Sequence, residues 1–375
     1  MILTAVAGFL IITVILWEAF ETIVLPRRVT RKWRVTVLVY RATWIPWRAI
    51  AKRIKKIRTR ETFLSIYGPL SLPCLFVFWA LMLIWGFALL YHSAAPADPT
   101  HPTFATSLYM SGTTMFTLGL GDVVPHTPPE RVLAVVQSGL GFGFLALVLS
   151  YLPVIYQVFS RREVTIVLLD AQAGSPPTAA EILRRNAGTK GEASLERLLH
   201  DWERSAAEIL ESHVSYPVVS YFRSQHTNES WLAALAAILD SCAFLISSAD
   251  KGASRQARLT FAMCRHTVAD LAQVFAVAPR NADTDRLPAA ELQRLSTLLT
   301  QSGLKICDGE SNATKLTKLR EMYEPYLQAL SEFLYMELPP WILATEITDN
   351  WRTSAWGRIT GFSASFQHDP DDHTD

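Results

Sequence analysis

The six residues Thr117-Leu118-Gly119-Leu120-Gly121-Asp122 place glycine at alternate positions, and that spacing has a chemical meaning. A dehydrated monovalent cation needs stacked oxygens in place of its water shell, and consecutive backbone carbonyls can supply them. For successive carbonyls to point one way, alternate residues must reach backbone angles that a Cβ disfavours, which calls for glycine at every second position. Gly119 and Gly121 meet that demand. The carbonyls of Thr117, Leu118, Gly119 and Leu120 are the candidate ligands, with the Thr117 hydroxyl below them and the Leu118 and Leu120 side chains turned back into the protein. Gly121 and Asp122 fall at the outer mouth, where a carboxylate attracts cations or bonds to groups supporting the string.

Such a string must be held between elements that exclude water. About 20 apolar residues cross a hydrocarbon core, and three stretches qualify: Ile2 to Leu25, Leu72 to Tyr91 and Val132 to Val158. Between the last two, Phe104 to Met115 is an amphipathic run suited to a short helix whose C-terminal dipole points at a waiting cation. The net charge of +1 conceals a strong asymmetry, since residues 27–60 hold thirteen Lys or Arg and no Asp or Glu. The positive-inside rule puts that segment in the cytoplasm. The N-terminus and the 93–129 loop are then extracellular, and everything after Arg161 is cytoplasmic.

Thr113-Thr114-Met115-Phe116 followed by Thr117 to Asp122 resembles the pore loop of the potassium channel superfamily, whose signature reads T-x-T-x-G-[YF]-G-D. Phe116 stands where that signature has its first Thr, and Leu120 where it has Tyr or Phe, which removes a hydroxyl strut. A T-x-G-L-G-D filter is similar to the second pore loop of some two-pore-domain potassium channels. The likeness covers Leu70 to Phe159. It implies a loop that re-enters from the outer side, potassium ions in the filter and no other cofactor. One filter strand cannot surround an ion, so four copies of the chain are expected, as a homotetramer.

Within the third span, Gly139, Gly141 and Gly143 allow bending or close packing, and Pro153 favours a kink. A gate is expected to pivot at the glycines and constrict around Pro153, Val154 and Gln157. Near the inner end of the first span, Glu18 and Glu21 are costly at that depth unless paired; the expected partners are Arg27 or Arg28. In the basic segment, Trp33, Tyr40, Trp44 and Trp47 share one helical stripe flanked by Arg34, Arg41, Arg48 and Lys52. The expectation is a helix flat on the inner leaflet, rings in the interface and cations over anionic headgroups; lipid, not nucleic acid, is the partner.

Beyond Arg161, helical segments are expected near Ser194 to His213, Ser230 to Ser248, Ser254 to Val277, Ala289 to Leu304 and Ala313 to Glu337. Thr178 and Glu181 read as a capping box, and Val164 to Leu169 fits either a longer inner helix or a strand. Trp202, Trp231, Tyr216, Tyr221 and Arg223 read as core, not as a ligand pocket. Four cysteines, Cys74, Cys242, Cys264 and Cys307, lack C-x-x-C spacing and are expected as reduced thiols, and no nucleophile motif points to an enzyme.

The expected organisation is an N-terminal membrane helix (1–26), a basic aromatic segment (27–69), a pore module (70–159), a helical cytoplasmic domain (160–348) and an acidic disordered tail (349–375). The fold class is an all-α membrane protein of the P-loop tetrameric cation channel type. The expected function is passive, potassium-selective conduction in a bacterial inner membrane, gated or assembled by the cytoplasmic domain. A weakly selective monovalent cation channel and a non-conducting, membrane-anchored sensor or scaffold are the alternatives.

Overall fold

A computed structural model describes residues 1–25, 34–95, 103–188, 191–224, 229–248, 254–304, 306 and 310–343. Arg27, Arg28, Trp33, Cys307 and the expected tail 349–375 lie outside them. The described chain is helical and carries no strand among those residues, so the fold is all-α. It divides into two compact units, one formed by Met1–Ser160 with Glu211–Arg223 and the other by Arg161–Leu210 with Ser224–Asp375.

In the first unit α1 (Ile2–Ala19) runs on into a single wider turn, Phe20–Val24. It is followed by α2 (Val35–Arg53), α3 (Ile57–Ala94), α4 (Phe104–Met115) and α5 (Pro128–Ala173), which continues into the second unit. Apolar side chains gain little by leaving lipid for one another, so membrane helices associate through small residues that let backbones approach. Gly8 and Gly86 do this for α1 and α3: a Cβ on Gly8 would lie 2.6 Å from the Gly86 carbonyl oxygen, and one on Gly86 would lie 2.7 Å from Ile12.

The basic segment departs from its expected form. Helix α3 starts at Ile57, not Leu72, and α2 packs back along this extension. Trp47 stacks on Phe63 at 4.4 Å while Tyr67 donates its hydroxyl to the Tyr40 carbonyl, so the two helices run antiparallel. The described part of the aromatic stripe, Tyr40, Trp44 and Trp47, therefore faces protein, not the membrane interface. Trp44 is buried between Tyr67 and Tyr221, and Tyr40 stacks on Tyr221. Rings this large bury more surface against other rings than against headgroups, and each such pair contributes about 0.5–1.5 kcal/mol beyond its area.

Glu18 and Glu21 are both buried and find described partners other than Arg27 and Arg28. Glu18 accepts from the backbone amide and hydroxyl of Thr36, 3.1 and 2.9 Å away, so it caps the first turn of α2. A carboxylate there also meets the positive end of the helix dipole. Glu21 accepts from Trp17 Nε1 at 2.7 Å and lies 3.8 Å from Arg34 Nε.

Helix α5 settles the ambiguity at Val164 to Leu169, which is helical. The second unit goes on with α6 (Ala179–Arg185), α7 (Gly191–Ser215), α8 (Trp231–Ser248), α9 (Ser254–Val274), α10 (Ala289–Gln301), α11 (Glu310–Glu321) and α12 (Glu324–Leu334). The expected Ala313 to Glu337 helix is broken at Met322 and Tyr323, because Pro325 cannot donate within a continuous helix. Half of the capping box forms: Thr178 Oγ1 accepts from the Glu181 amide at 3.3 Å, but the Glu181 carboxylate turns to Arg184 and Arg185. Burial would raise that carboxyl, and these two guanidinium partners hold it below its usual range.

Among the described residues, four helices are long and apolar enough to cross a membrane: Ile2–Val24, Ile57–Ala94, Pro128–Asp170 and Trp231–Ser248. The fourth differs from the others, since all of its 18-residue window is buried inside its own unit. Its Asp240 is held by Arg286 Nη2 and the Tyr323 hydroxyl, each at 2.6 Å. Helix α8 is the core of a helical bundle, with Trp202 and Trp231 buried in the same unit.

Candidate functional site

The filter string hangs from the C-terminal end of α4. Thr103 opens that helix, its side chain accepting from the Thr106 amide. At the other end the Leu118 amide donates to the Thr113 carbonyl at 2.8 Å and the Thr117 amide to the Thr114 carbonyl at 3.1 Å. This pair of bonds is the Schellman closure, which requires the residue after the cap to be left-handed. That residue is Thr117, at φ 56°. Gly119 at φ 52° and Gly121 at φ 82° repeat the same hand, while positions 118 and 120 do not take it. The alternation demanded by the glycine spacing thus begins two residues before Gly119, at a β-branched residue. A side chain in that conformation costs on the order of 1–3 kcal/mol and persists only where surrounding structure enforces it.

No neighbour crowds the two filter glycines, since a Cβ on Gly119 or Gly121 would meet nothing within 4 Å. Their requirement is conformational. The string itself is bare, with Leu118 and Leu120 60% and 66% exposed. Asp122 accepts a 2.8 Å hydrogen bond from the Tyr109 hydroxyl on α4, tying the outer mouth to the pore helix. Tyr109 thereby supplies a strut of the kind that Leu120 cannot. Replacing Tyr109 with Phe should raise the sodium-to-potassium permeability ratio, read as a shift of reversal potential under bi-ionic gradients; an unchanged ratio would show that the bond is idle.

Behind the string, Gln137 Nε2 on α5 donates to the Ser111 carbonyl at 3.0 Å and to Ser111 Oγ at 2.7 Å. Ser111 Oγ donates in turn to the Ile84 carbonyl of α3 at 2.8 Å. Both side chains are fully buried, so this relay joins three helices where an unmade bond would be expensive. At the outer end of α5, Glu130 accepts from the amides of His126 and Thr127 at 2.8 and 2.9 Å, fixing the segment that leaves the filter.

The gate candidates separate into two groups. At 100° per residue Gly139, Gly143, Pro153, Val154 and Gln157 fall within about 100° of arc on one face of α5. A Cβ on Gly139 or Gly143 would meet nothing within 4 Å, and Pro153, Val154 and Gln157 are exposed. Gly141 points the other way. A Cβ on it would overlap the carbonyl oxygen of Met115, the last residue of α4. Gly141 is therefore a packing residue at the foot of the filter.

Residues 216–223, distant in sequence, return to this same unit. Phe222 covers Gly68 so closely that a Cβ there would lie 2.7 Å from Phe222 Cδ2. It also meets Phe159 and Tyr156 of α5, at 5.4 and 6.1 Å between ring centres, and Tyr216 meets Tyr151 at 5.8 Å. Arg223 pairs with Glu61 at 3.2 Å. The short turn Pro217–Tyr221 sets these side chains on α3 and on the 151–159 stretch of α5, and its own Tyr221 on Tyr40 and Trp44 of α2.

Residues 77–157 match the family model described as "Ion channel". That stretch of the chain is similar to an ion-channel domain. Among relatives, the two pore potassium channel c of Oryza sativa subsp. japonica is 41% identical over 54 residues, 14% of this chain and 12% of that protein. Two-pore potassium channel 5 of Arabidopsis thaliana is 47% identical over 51 residues, again 14% and 12%. The uncharacterized membrane protein YdjJ of Bacillus subtilis (strain 168) is 25% identical over 181 residues, covering 47% of this chain and 52% of that protein. The chain thus spans about half of the bacterial relative and a small part of each plant channel. No solved structure matches it. These likenesses agree with the resemblance to the potassium channel superfamily over the matched stretch. Residues 77–157 contain the filter string, the Ser111–Gln137 relay and every gate candidate.

Sequence reasoning misses Tyr109, Ser111, Gln137 and Phe222. The first three are separated from their partners by 13 to 27 positions, and no motif marks such pairs. Only the aromatic composition of 216–222 hints at the fourth, and composition alone gives a core residue no location.

Proposed function

We propose that this chain is the protomer of a homotetrameric, potassium-selective channel that conducts passively. The alternating left-handed run at Thr117, Gly119 and Gly121 carries the reading. Alternation turns successive carbonyls toward one side, and four such strands around an axis replace the water of a potassium ion. The state of α5 supports the tetramer: 11% of its most apolar window is buried, against 56% for α3. Its bare side carries Val132, Val135, Phe142 and Leu145 as well as the gate face, and lipid plus three further copies would cover both.

In this reading ions occupy sites made by the carbonyls of Thr117, Leu118, Gly119 and Leu120, and Gly121 and Asp122 form the outer mouth. Gly139 and Gly143 line the cavity, and Pro153, Val154 and Gln157 form the constriction. The positive charge of 27–60 favours a cytoplasmic location for this segment and the second unit, with the N-terminus outside, and the bacterial relative is itself described as a membrane protein. The return of residues 216–223 to the gate region favours gating by the helical cytoplasmic domain, because this turn is joined by the chain to that domain on both sides. Anionic lipids are the partner of the basic segment.

Ion flux from liposomes holding the purified chain tests the reading. Potassium flux exceeding sodium flux, blocked by barium and lost in Gly119→Ala, is the expected result. Each left-handed L-residue costs about 1–2 kcal/mol, and four copies multiply the strain around one ion. Equal potassium and sodium fluxes would instead assign a weakly selective cation channel, and a non-conducting monomer or dimer would assign a scaffold.

A further inference from the structure

Helix α2 has two apolar faces, and the protein uses one. Thr36, Tyr40, Trp44, Trp47 and Ala51 cluster on the side that meets Glu18, Phe63, Tyr67 and Tyr221. Directly opposite, Leu38, Ala42, Ile45 and Ala49 fall within about 60° of arc. All four are exposed, Leu38 at 65% and Ile45 at 59%. Arg41, Arg48 and Lys52 line one edge of this stripe and Arg53 the other. A narrow aliphatic stripe with a row of three long cationic side chains along one edge and a fourth cation on the other is the composition of a helix seated in a membrane interface.

Placement supports the same occupant. The first turn of α2 is bonded to Glu18 near the end of α1, and Trp47 stacks on Phe63 of α3. Both of those helices are candidate membrane spans. Residues 27–60 hold thirteen basic and no acidic residues, so this face complements an anionic surface and would repel itself across a two-fold axis; a neighbour in a cyclic tetramer would have to bring a different surface, which shielding from both quenchers in the test below would reveal.

We propose that the outward face of α2 is a binding surface for anionic lipid of the cytoplasmic leaflet, resting on the orientation argued above. Leu38, Ala42, Ile45 and Ala49 enter the acyl boundary, while Arg41, Arg48, Lys52 and Arg53 reach lipid phosphates. The aromatic rings that composition assigned to the interface serve instead as the rigid back of the helix, holding it against α3.

The test needs no ion flux, so it stands apart from the channel reading. Leu38→Cys and Ile45→Cys, each in the full chain with Cys74→Ala, are labelled with a fluorophore and reconstituted in vesicles containing doxyl-labelled phosphatidylglycerol or phosphatidylcholine. The Cys74→Ala parent gives the blank. Quenching at both positions is expected, stronger with phosphatidylglycerol. Neutralising Arg41, Arg48 and Lys52 together to Gln should abolish the preference, since each cation at an anionic surface strengthens binding by about fivefold. Labels open to aqueous iodide and untouched by doxyl lipid would overturn the proposal. Labels shielded from both quenchers would also overturn it, by showing protein on this face, and equal quenching by the two lipids would remove the anionic specificity.

Discussion

Gly141→Ala should abolish most potassium flux while Gly139→Ala and Gly143→Ala leave the filter intact. The three glycines alternate along one helix and look equivalent in sequence, yet only Gly141 faces the Met115 carbonyl at the foot of the filter. An added methyl there must push α4 or α5 aside. Overpacking of this kind costs about 1–3 kcal/mol, and coupling of that size moves a two-state equilibrium by roughly 5- to 150-fold. Because Thr117 is already left-handed and is held by its own bond to Thr114 and by that of Leu118 to Thr113, displacement of α4 is carried directly into the proposed ion sites. Flux per tetramer, measured after confirming assembly by size-exclusion chromatography, checks the expectation. A Gly141→Ala channel with normal selectivity and flux would show that α5 can step back at no cost, and would strip Gly141 of its packing role.

That asymmetry among glycines indicates what a sequence can and cannot convey. The alternating left-handed backbone at 119 and 121 is legible because carbonyl alignment is a local demand on φ, and alternate glycines answer it wherever the string is placed. The α4 helix, Phe104–Met115, is legible from its own amphipathic period and has those bounds in the structure. The role of Thr117 is half legible: its hydroxyl reads directly as an oxygen donor, but its left-handed backbone follows from how α4 terminates. The stripe of Tyr40, Trp44 and Trp47 shows its period plainly and suggests the wrong partner, because periodicity identifies a face without naming what lies opposite. Deciding between lipid and protein requires Tyr67 and Tyr221, 27 and 181 positions away from Tyr40. Glu18 is a similar case. Its depth calls for a partner, and among the described residues the amide and hydroxyl of Thr36, at the start of the next helix, supply one that no local motif marks; Arg27 and Arg28 lie outside those residues.

Phe222→Ala should lower steady flux sharply without disturbing selectivity. Phe222 is buried, lies on Gly68 of α3 and touches Phe159 and Tyr156 of α5. Tyr216 adds a contact to Tyr151, which itself meets Phe76 of α3 at 6.1 Å. Together these rings hold the inner half of α5 against the outer helix, on the side opposite Pro153, Val154 and Gln157. In a tetramer that grip keeps the constriction face back from the axis. Truncating a buried Phe removes about 3–5 kcal/mol of packing, freeing α5 to bring Val154 and its copies together, and an apolar ring of that kind closes by dewetting. Gly68→Ala, which displaces the same ring from the opposite side, should reproduce the loss although it lies far from Phe222 in sequence. Val154→Asn placed in either variant should restore flux by rewetting the constriction, an outcome that a damaged filter or a misassembled tetramer could not produce. If Phe222→Ala channels conduct normally, or if Val154→Asn fails to rescue them, the turn at 217–221 is an architectural joint and the gate is controlled elsewhere.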